Sequence, residues 1–335
     1  MHYLFLDIYR YLAALIVSTS HFFIYWNKSD FFEFTSILGV ELFFVLSGFV
    51  LASQLLKLET SSKKNFKIFL FRRWIRTVPP YLVALICAAI LFDYGDRINF
   101  LKFLTYTQNI IRDNSIPNFF TIAWSLSVEE WFYIFLPFVI LIGTKFKFKI
   151  FKINTINICI MTIILLNMFR FYYNSEEIHW GEDIRRSVVL RLDSLCFGVV
   201  AYIFKDKIKL KYLYFLFFFT IIPLCYFLTK PLIVSNSVVL QNLFMPLCSV
   251  SFSSVLIILT YIKSSPRVLK RIGVNGANIS YSMYLFHIFF IPITVDLFDN
   301  IILSLISYLI LLKLFCLVFF NLFEKPLLES RPKYI

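Results

Sequence analysis

The chain has 335 residues, of which 59% are hydrophobic, and a mean hydropathy of +0.77. An ordinary soluble domain is roughly 45–50% apolar, so this composition excludes a water-soluble fold. A formal net charge of +13 would suit a nucleic-acid binder, but the Lys and Arg residues fall between apolar runs, which points to membrane topology and not to a nucleic-acid face.

Apolar runs of about 18 or more residues can cross a hydrocarbon layer of about 30 Å as helices, because lipid offers backbone polar groups no other partner. They predict an all-α membrane protein, a single domain over 1–335, with about ten spans near 5–25, 36–57, 78–93, 121–142, 153–172, 187–204, 212–228, 238–262, 279–297 and 301–322. The first span carries Asp7, Arg10 and His21 and lacks a basic leader and a cleavage site, so it reads as a retained helix and not as a signal peptide. Between spans two and three lie Lys57, Lys63, Lys64, Lys67, Arg72, Arg73 and Arg76. Lys145, Lys147, Lys149 and Lys152, then Lys205, Lys207, Lys209 and Lys211, then Lys263, Arg267, Lys270 and Arg271 fill the loops after spans four, six and eight. All four groups lie on one side of a ten-span topology, while Asp93, Asp96, Glu176, Glu177, Glu182, Asp183, Asp296 and Asp299 lie on the other. Both termini are therefore expected to be cytoplasmic. The longest outward segment, 94–120, fits either a re-entrant or interfacial element or a plain loop. Cys87, Cys159, Cys196, Cys225, Cys248 and Cys316 sit in apolar stretches without ligand or disulfide spacing, and no metal is expected.

A charge at the bilayer centre costs at least about 2.5–3.5 kcal/mol, so buried ionisable residues mark function or pairing. Arg10 and His21 are 11 positions apart, which returns them to within about 20° of one face with a rise of about 16 Å. An interfacial Arg and a packing His are the alternative. Counted from helix ends, Glu41, Glu129, Glu130, Arg191 and Asp193 lie within about two turns of the outer boundary, at the depth of His21. They are expected to share one polar pocket there, with His287 deeper, at the level of Arg10. Local pairing of Arg191 with Asp193, and of Asp7 with Arg10, is the competing reading. Imidazole suits a general base near neutral pH, and Glu129 or Glu41 could orient it. Glu41, Ser127, Arg191, Asp193 and His287 are candidates for holding substrate or an oxyanion. No GxSxG motif supports a covalent serine route. Arg72, Arg73 and Arg76 precede Pro79 and Pro80 at the inner mouth of span three, where they suit either the phosphates of a nucleotide-bearing donor such as coenzyme A or anionic lipid.

These residues resemble the acyltransferase family 3 membrane O-acyltransferases from end to end. The resemblance is carried by Leu6-Asp7-Ile8-Tyr9-Arg10 through His21, Gly39 to Phe49, Arg72-Arg73 with Arg76 and Pro79, Trp124 to Tyr133, Arg191-Leu192-Asp193 with Gly198, Ser280 to His287, and Phe323-Glu324-Lys325-Pro326. Glu41 stands where Asp or Asn is commoner, and Tyr11 where Gly is usual. The resemblance implies a multi-pass enzyme of the bacterial inner membrane. It would move an acyl group, acetyl for preference, from cytoplasmic acetyl-CoA to a hydroxyl of a glycan or lipid-linked sugar such as O-antigen of lipopolysaccharide or capsule, with Arg10 and His21 essential. No permanently bound cofactor is implied. A polytopic glycan or lipid transporter is the alternative, and it would show paired halves or broken helices.

Overall fold

The computed structural model describes residues 4–59, 63–92, 96–111, 119–145, 154–175, 177–262 and 266–332. Lys147, Lys149, Lys152, Lys263, Asp93 and Glu176 of the expected loops lie outside the described residues. Among the described residues thirteen α-helices follow in order: α1 (Leu4–Asn27), α2 (Asp30–Leu58), α3 (Lys63–Leu91), α4 (Arg97–Leu104), α5 (Ala123–Lys145), α6 (Thr155–Tyr173), α7 (Leu192–Phe204), α8 (Leu210–Thr229), α9 (Pro231–Ser235), α10 (Val238–Thr260), α11 (Arg267–Leu297), α12 (Ile301–Phe319) and α13 (Lys325–Glu329). Among the described residues eight helices are long and apolar enough to cross a membrane. The other two expected spans fall on α1, whose hydropathy is lowered by Asp7, Arg10 and His21, and on α7, which has 13 residues. At 1.5 Å per residue α7 rises only about 20 Å. The turns before it, Trp180–Ile184 and Val188–Leu190, replace the first part of the expected sixth span. They are held by the Asn109 amide, which donates to the Arg186 carbonyl at 2.6 Å, and by the Val188 amide, which donates to the Asn109 carbonyl.

Three other boundaries differ from expectation for one reason: hydropathy registers the apolar part of a helix and not its polar continuation. The basic run of Arg72, Arg73 and Arg76 belongs to α3 and not to a loop, and α3 continues through Pro79 and Pro80. Near that break the Tyr281 hydroxyl donates to the Thr77 carbonyl at 2.8 Å and the Thr77 hydroxyl to the Arg73 carbonyl. Likewise α11 begins at Arg267, 12 residues before the expected start at 279. At the far end, α12 passes through a wide turn, Phe320–Glu324, into α13. Within the expected 94–120 segment, the described residues 96–111 hold the short helix α4. The Asp96 carboxylate caps α4 by accepting from the Ile98 and Asn99 amides, and buried Gln108 and Asn109 then tie the following turn to α5 and the 180–191 loop.

Two apolar cores share α2. One joins α1, α2, α3, α5, α11 and α12; the other joins α2 with α7, α8 and α10. The apolar window of α2 is accordingly 72% buried, against 17% for α8 and 22% for α6 and α12, so those three face outward. Exposed Phe215, Phe218, Phe219 and Ile222 on α8, with Leu165 and Met168 on α6, give the outer surface a lipid-like solvent to meet. Close approach is made at glycines. A Cβ at Gly48 would lie 1.8 Å from the Leu195 carbonyl oxygen and one at Gly198 2.0 Å from that of Val45, so α2 and α7 touch backbone to backbone. Gly273 and Gly276 of α11 receive Ile8 and the Tyr11 ring of α1, which explains how a tyrosine fits where the resemblance leads one to expect Gly.

Ends of like charge meet. The Thr155 amide donates to Glu59, and the Tyr261 hydroxyl to the Lys205 and Ile208 carbonyls, which gathers the basic connections at one end of the bundle. Asn174 with Gln241, and Arg185 with Glu33, gather acidic connections at the other.

Candidate functional site

From the basic end a wide vestibule enters between α1, α2, α3, α11 and the chain after α12. It holds about 750 Å3 and is lined by Asp7, Arg10, Ser53, Lys57, Arg76, Asn278, Tyr281, Glu324 and Arg331, among others. A second, tighter chamber of about 70 Å3 follows, lined by Arg10, Ser47, Arg73, Arg76, Thr77, Ser125, Glu129, Tyr133, Ser280, Tyr281 and Tyr284 between apolar positions of α2 and α5. Arg10, Val50, Arg76 and Tyr281 line both, so the two spaces adjoin, with Arg10 between them, along one passage-like line. Such a mixture of apolar wall and few convergent polar groups is what small-molecule sites present.

Helical periodicity sets the polar stripe of the chamber. Ser125, Glu129 and Tyr133 recur every fourth residue on α5, and Ser280, Tyr284 and His287 follow the same face of α11. Ser47 donates to Glu129 Oε1 at 2.6 Å, and the Tyr133 hydroxyl donates to the same oxygen. Arg76, Asp7 and Glu129 are the charged groups acting on Arg10. At the outer end the hydroxyls of Ser125 and Tyr284 are hydrogen-bonded to each other.

Tyr284 also lies against the histidines, its ring centroid 6.0 Å from that of His287. His287 Nε2 is 2.7 Å from His21 Nδ1, and the two rings are within 9° of coplanar, the geometry of an in-plane hydrogen bond. His287 Nδ1 faces two acceptors, the carbonyls of Tyr284 at 2.8 Å and Met283 at 3.2 Å, so that nitrogen carries the proton. In the neutral ring Nε2 is then an acceptor, and His21 Nδ1 must be the donor. The lone pair of neutral His21 is thereby fixed on Nε2, the nitrogen turned away from His287. His287 is fully buried, whereas His21 is half-buried beneath the loop that carries Arg185 and Arg186.

Several expected placements are corrected. His287 is not at the depth of Arg10 but beside His21, because α1 and α11 run parallel in constant register, Ile8 by Gly273, Tyr11 by Gly276 and His21 by His287. In that register α11 reaches about one turn further than α1, so depth counted from helix ends misplaced it. His287, and not Glu129 or Glu41, is the partner of His21; Glu129 faces the chamber. Glu41 does not share a pocket with His21. It is paired with Arg191 and accepts from Ser194 at 2.9 Å, both contacts buried between α2 and α7. Arg191 therefore lines neither space of the passage. Asp193 is held by Arg170 at 2.5 Å and by Asn167, not by Arg191. Ser127 points away from the chamber, accepting from Gln108 Nε2 at 2.7 Å, because two residues from Ser125 is about 200° around the helix. Of the arginine run, Arg73 and Arg76 line the passage, while Arg72 donates to the Pro332 carbonyl.

The residues that the sequence reading missed are Ser47, Ser125, Tyr133, Tyr281, Tyr284 and Arg331. Spacing by four from Glu129 would have found Ser125 and Tyr133, but no local signal marks Arg331. A further concavity, about 640 Å3, lies at the acidic end and is lined by Asp30, Glu33, Glu177, His179, Trp180 and Gln241 among others.

Comparison with known proteins matches residues 3–322 to the family model described as acyltransferase domain, Acyl_transf_3. A Staphylococcus aureus (strain COL) protein carried under an O-acetyltransferase name is 29% identical over 226 residues, 62% of this chain and 35% of that protein. YrhL of Bacillus subtilis (strain 168), carried under a peptidoglycan O-acetyltransferase name, is 26% identical over 200 residues, 54% of this chain and 31% of its own length. The peptidoglycan O-acetyltransferase OatA of Listeria monocytogenes serovar 1/2a is 27% identical over 157 residues, 42% of this chain and 24% of that protein. The chain thus spans about a third or less of the length of these relatives. No solved structure matches it.

Proposed function

Because the chain belongs to the acyltransferase 3 family, we propose that it is a membrane O-acetyltransferase that takes an acyl group from acyl-CoA at its basic, cytoplasmic end and delivers it to a hydroxyl of a cell-envelope glycan arriving from the opposite side. The observation that carries this reading is the pair of cavities that run from the arginine-lined mouth past Arg10 to Tyr284, whose ring lies against His287, the partner of His21. Ten spans with both termini cytoplasmic, in a bacterial inner membrane, accord with basic connections gathered at one end. The rise of about 16 Å from Arg10 to His21 is on the order of an extended pantetheine arm, so a thioester anchored at the mouth reaches the histidines.

In this mechanism His21 Nε2 removes the proton from the acceptor hydroxyl as its oxygen bonds to the thioester carbonyl carbon. The C–S bond then breaks, the thiolate of coenzyme A leaves, and the proton held by His21 neutralises it. His287 is a positioning residue that fixes the tautomer. The mutually bonded hydroxyls of Ser125 and Tyr284 leave one proton between them to donate to the transient oxyanion in place of the Ile122 carbonyl. Arg10 and Arg76 guide the donor, and Glu129, fixed by Ser47 and Tyr133, balances the charge of Arg10. The Glu41–Arg191 and Arg170–Asp193 pairs hold α2, α6 and α7 together. The outer concavity with Trp180, Glu33 and Gln241 gives a sugar acceptor an approach near Arg185. The names of the relatives place peptidoglycan beside O-antigen and capsule among the acceptors to test.

Purified protein supplied with radiolabelled acetyl-CoA and isolated envelope glycans tests the proposal. Label is expected on glycan with the wild type and absent with His21→Ala at equal folded yield. Movement of glycan across a membrane without label transfer supports the transporter reading instead.

A further inference from the structure

The chain beyond α12 has no role in the chemistry above, yet it forms part of the donor vestibule. The wide turn Phe320–Glu324 swings the chain beneath the bundle, and α13 packs on α3. Two bonds fix it there. Ser282 of α11 donates to Glu324, and Arg72 of α3 donates to the Pro332 carbonyl. Between these anchors Arg331, its Nε donating to the Leu328 carbonyl at 3.0 Å, turns into the vestibule with Lys57, Arg76 and Arg10. Arg331 lies beyond the spanning segments. Burial, followed by the guanidinium charges of Arg76, Arg72 and Arg73, brings it down to about 10.

Cations assembled around one cavity repel each other, and among the described residues the vestibule lining holds four of them, Arg10, Lys57, Arg76 and Arg331, with two carboxylates, Asp7 and Glu324, the latter engaged by Ser282. Folding brings them together at a cost that a polyanion at the mouth relieves. Arginine presents a planar fork suited to phosphate oxygens, and its anchored backbone reduces the entropy lost on binding.

We infer that the C-terminal turn is a built part of the donor site, in which Arg331, with Lys57 and Arg76, receives the phosphate groups of a coenzyme A thioester. The inference rests on the reading of the passage as an acyl-CoA route. The same chemistry could be supplied by the headgroup of an anionic lipid, and the test separates the two sources.

Wild type, Arg331→Ala and Arg331→Lys, reconstituted in nanodiscs of phosphatidylcholine alone or with anionic lipid, are compared with acetyl-CoA, 3′-dephospho-acetyl-CoA and acetyl-pantetheine as donors. In both lipids Arg331→Ala is expected to raise KM for acetyl-CoA at least about tenfold, the scale of one charge-assisted hydrogen bond lost. KM for acetyl-pantetheine, which has no nucleotide, should change less than about twofold on the same scale, and Arg331→Lys should recover part of the loss. Equal loss with all three donors would show that the turn acts only in folding and would overturn the inference. Loss seen only with anionic lipid would assign Arg331 to the headgroup and also overturn it. If the wild type uses no acyl-CoA donor at all, it is the proposed function that fails.

Discussion

Removal of the His287 acceptor should disable His21 without disturbing the donor. Among the described residues His21 Nδ1 has one hydrogen-bond partner, His287 Nε2 at 2.7 Å, and that partner's tautomer is fixed by the carbonyls of Tyr284 and Met283. His287→Leu keeps an apolar filling of the buried site but leaves the Nδ1 donor of His21 unsatisfied, at a cost of about 1–3 kcal/mol. The ring can escape that cost by moving its proton to Nε2, which removes the base. The rate at saturating donor should therefore fall by about 10- to 100-fold, one factor of ten for each 1.36 kcal/mol. Loss of the orienting carboxylate in the serine-protease triad costs about 10⁴; a neutral imidazole stabilises the cation less, so its loss costs less. The KM for acetyl-CoA should hold, because the mouth is untouched. His287→Gln, whose amide oxygen can accept from His21, should recover part of the rate. Initial rates of label transfer from acetyl-CoA to glycan, with donor titrated, measure both constants. Equal activity of Leu and Gln variants, or a rise in KM with unchanged rate, refutes the tautomer argument.

Other outcomes follow from packing and charge. A methyl group at Gly48 or Gly198 meets backbone oxygen at 1.8 or 2.0 Å, so Gly48→Ala and Gly198→Ala should each destabilise the α2–α7 pair by about 1–3 kcal/mol or more, read as lowered thermal stability in detergent. Asp193→Leu should lose about 3–5 kcal/mol by leaving Arg170 buried without its carboxylate; Arg170→Met added to it should restore most of the folded yield. Arg10→Gln should raise KM for acetyl-CoA and lower the rate together, since Arg10 lines both parts of the passage. Ser127→Ala should retain transfer while Ser125→Ala loses it several-fold, a contrast checked by the same label assay and set by which hydroxyl faces the chamber.

The sequence showed which segments are apolar helices but not how these are staggered. Hydropathy placed each of the ten expected spans on a helix, yet it missed the polar continuations of α3 and α11, where Arg72, Arg73, Arg267 and Lys270 are helical and not loop. Arg10 at the neck was legible because an arginine in an apolar run needs a polar surface to face. The partnership of His21 with His287 was not, because the longitudinal register of α1 on α11 is set by Gly273 and Gly276, and registers across 266 positions leave no local pattern. Charge pairing was mistaken for the same reason. Asp193 and Arg191 are neighbours in sequence, but their helical turn sends one to Arg170 and the other to Glu41. Arg331 could not be foreseen, since its place depends on a wide turn at Phe320–Glu324 in an otherwise uninterrupted apolar helix.

The most direct measurement is sided transfer in liposomes carrying oriented protein, with radiolabelled acetyl-CoA confined to the face that exposes Lys57 and Arg76 and the glycan confined to the other. Labelled glycan should accumulate only in that arrangement and should disappear with His21→Ala. Labelling that requires donor and glycan on the same face, or that survives the loss of the imidazole, would contradict a passage that joins the two sides at His21.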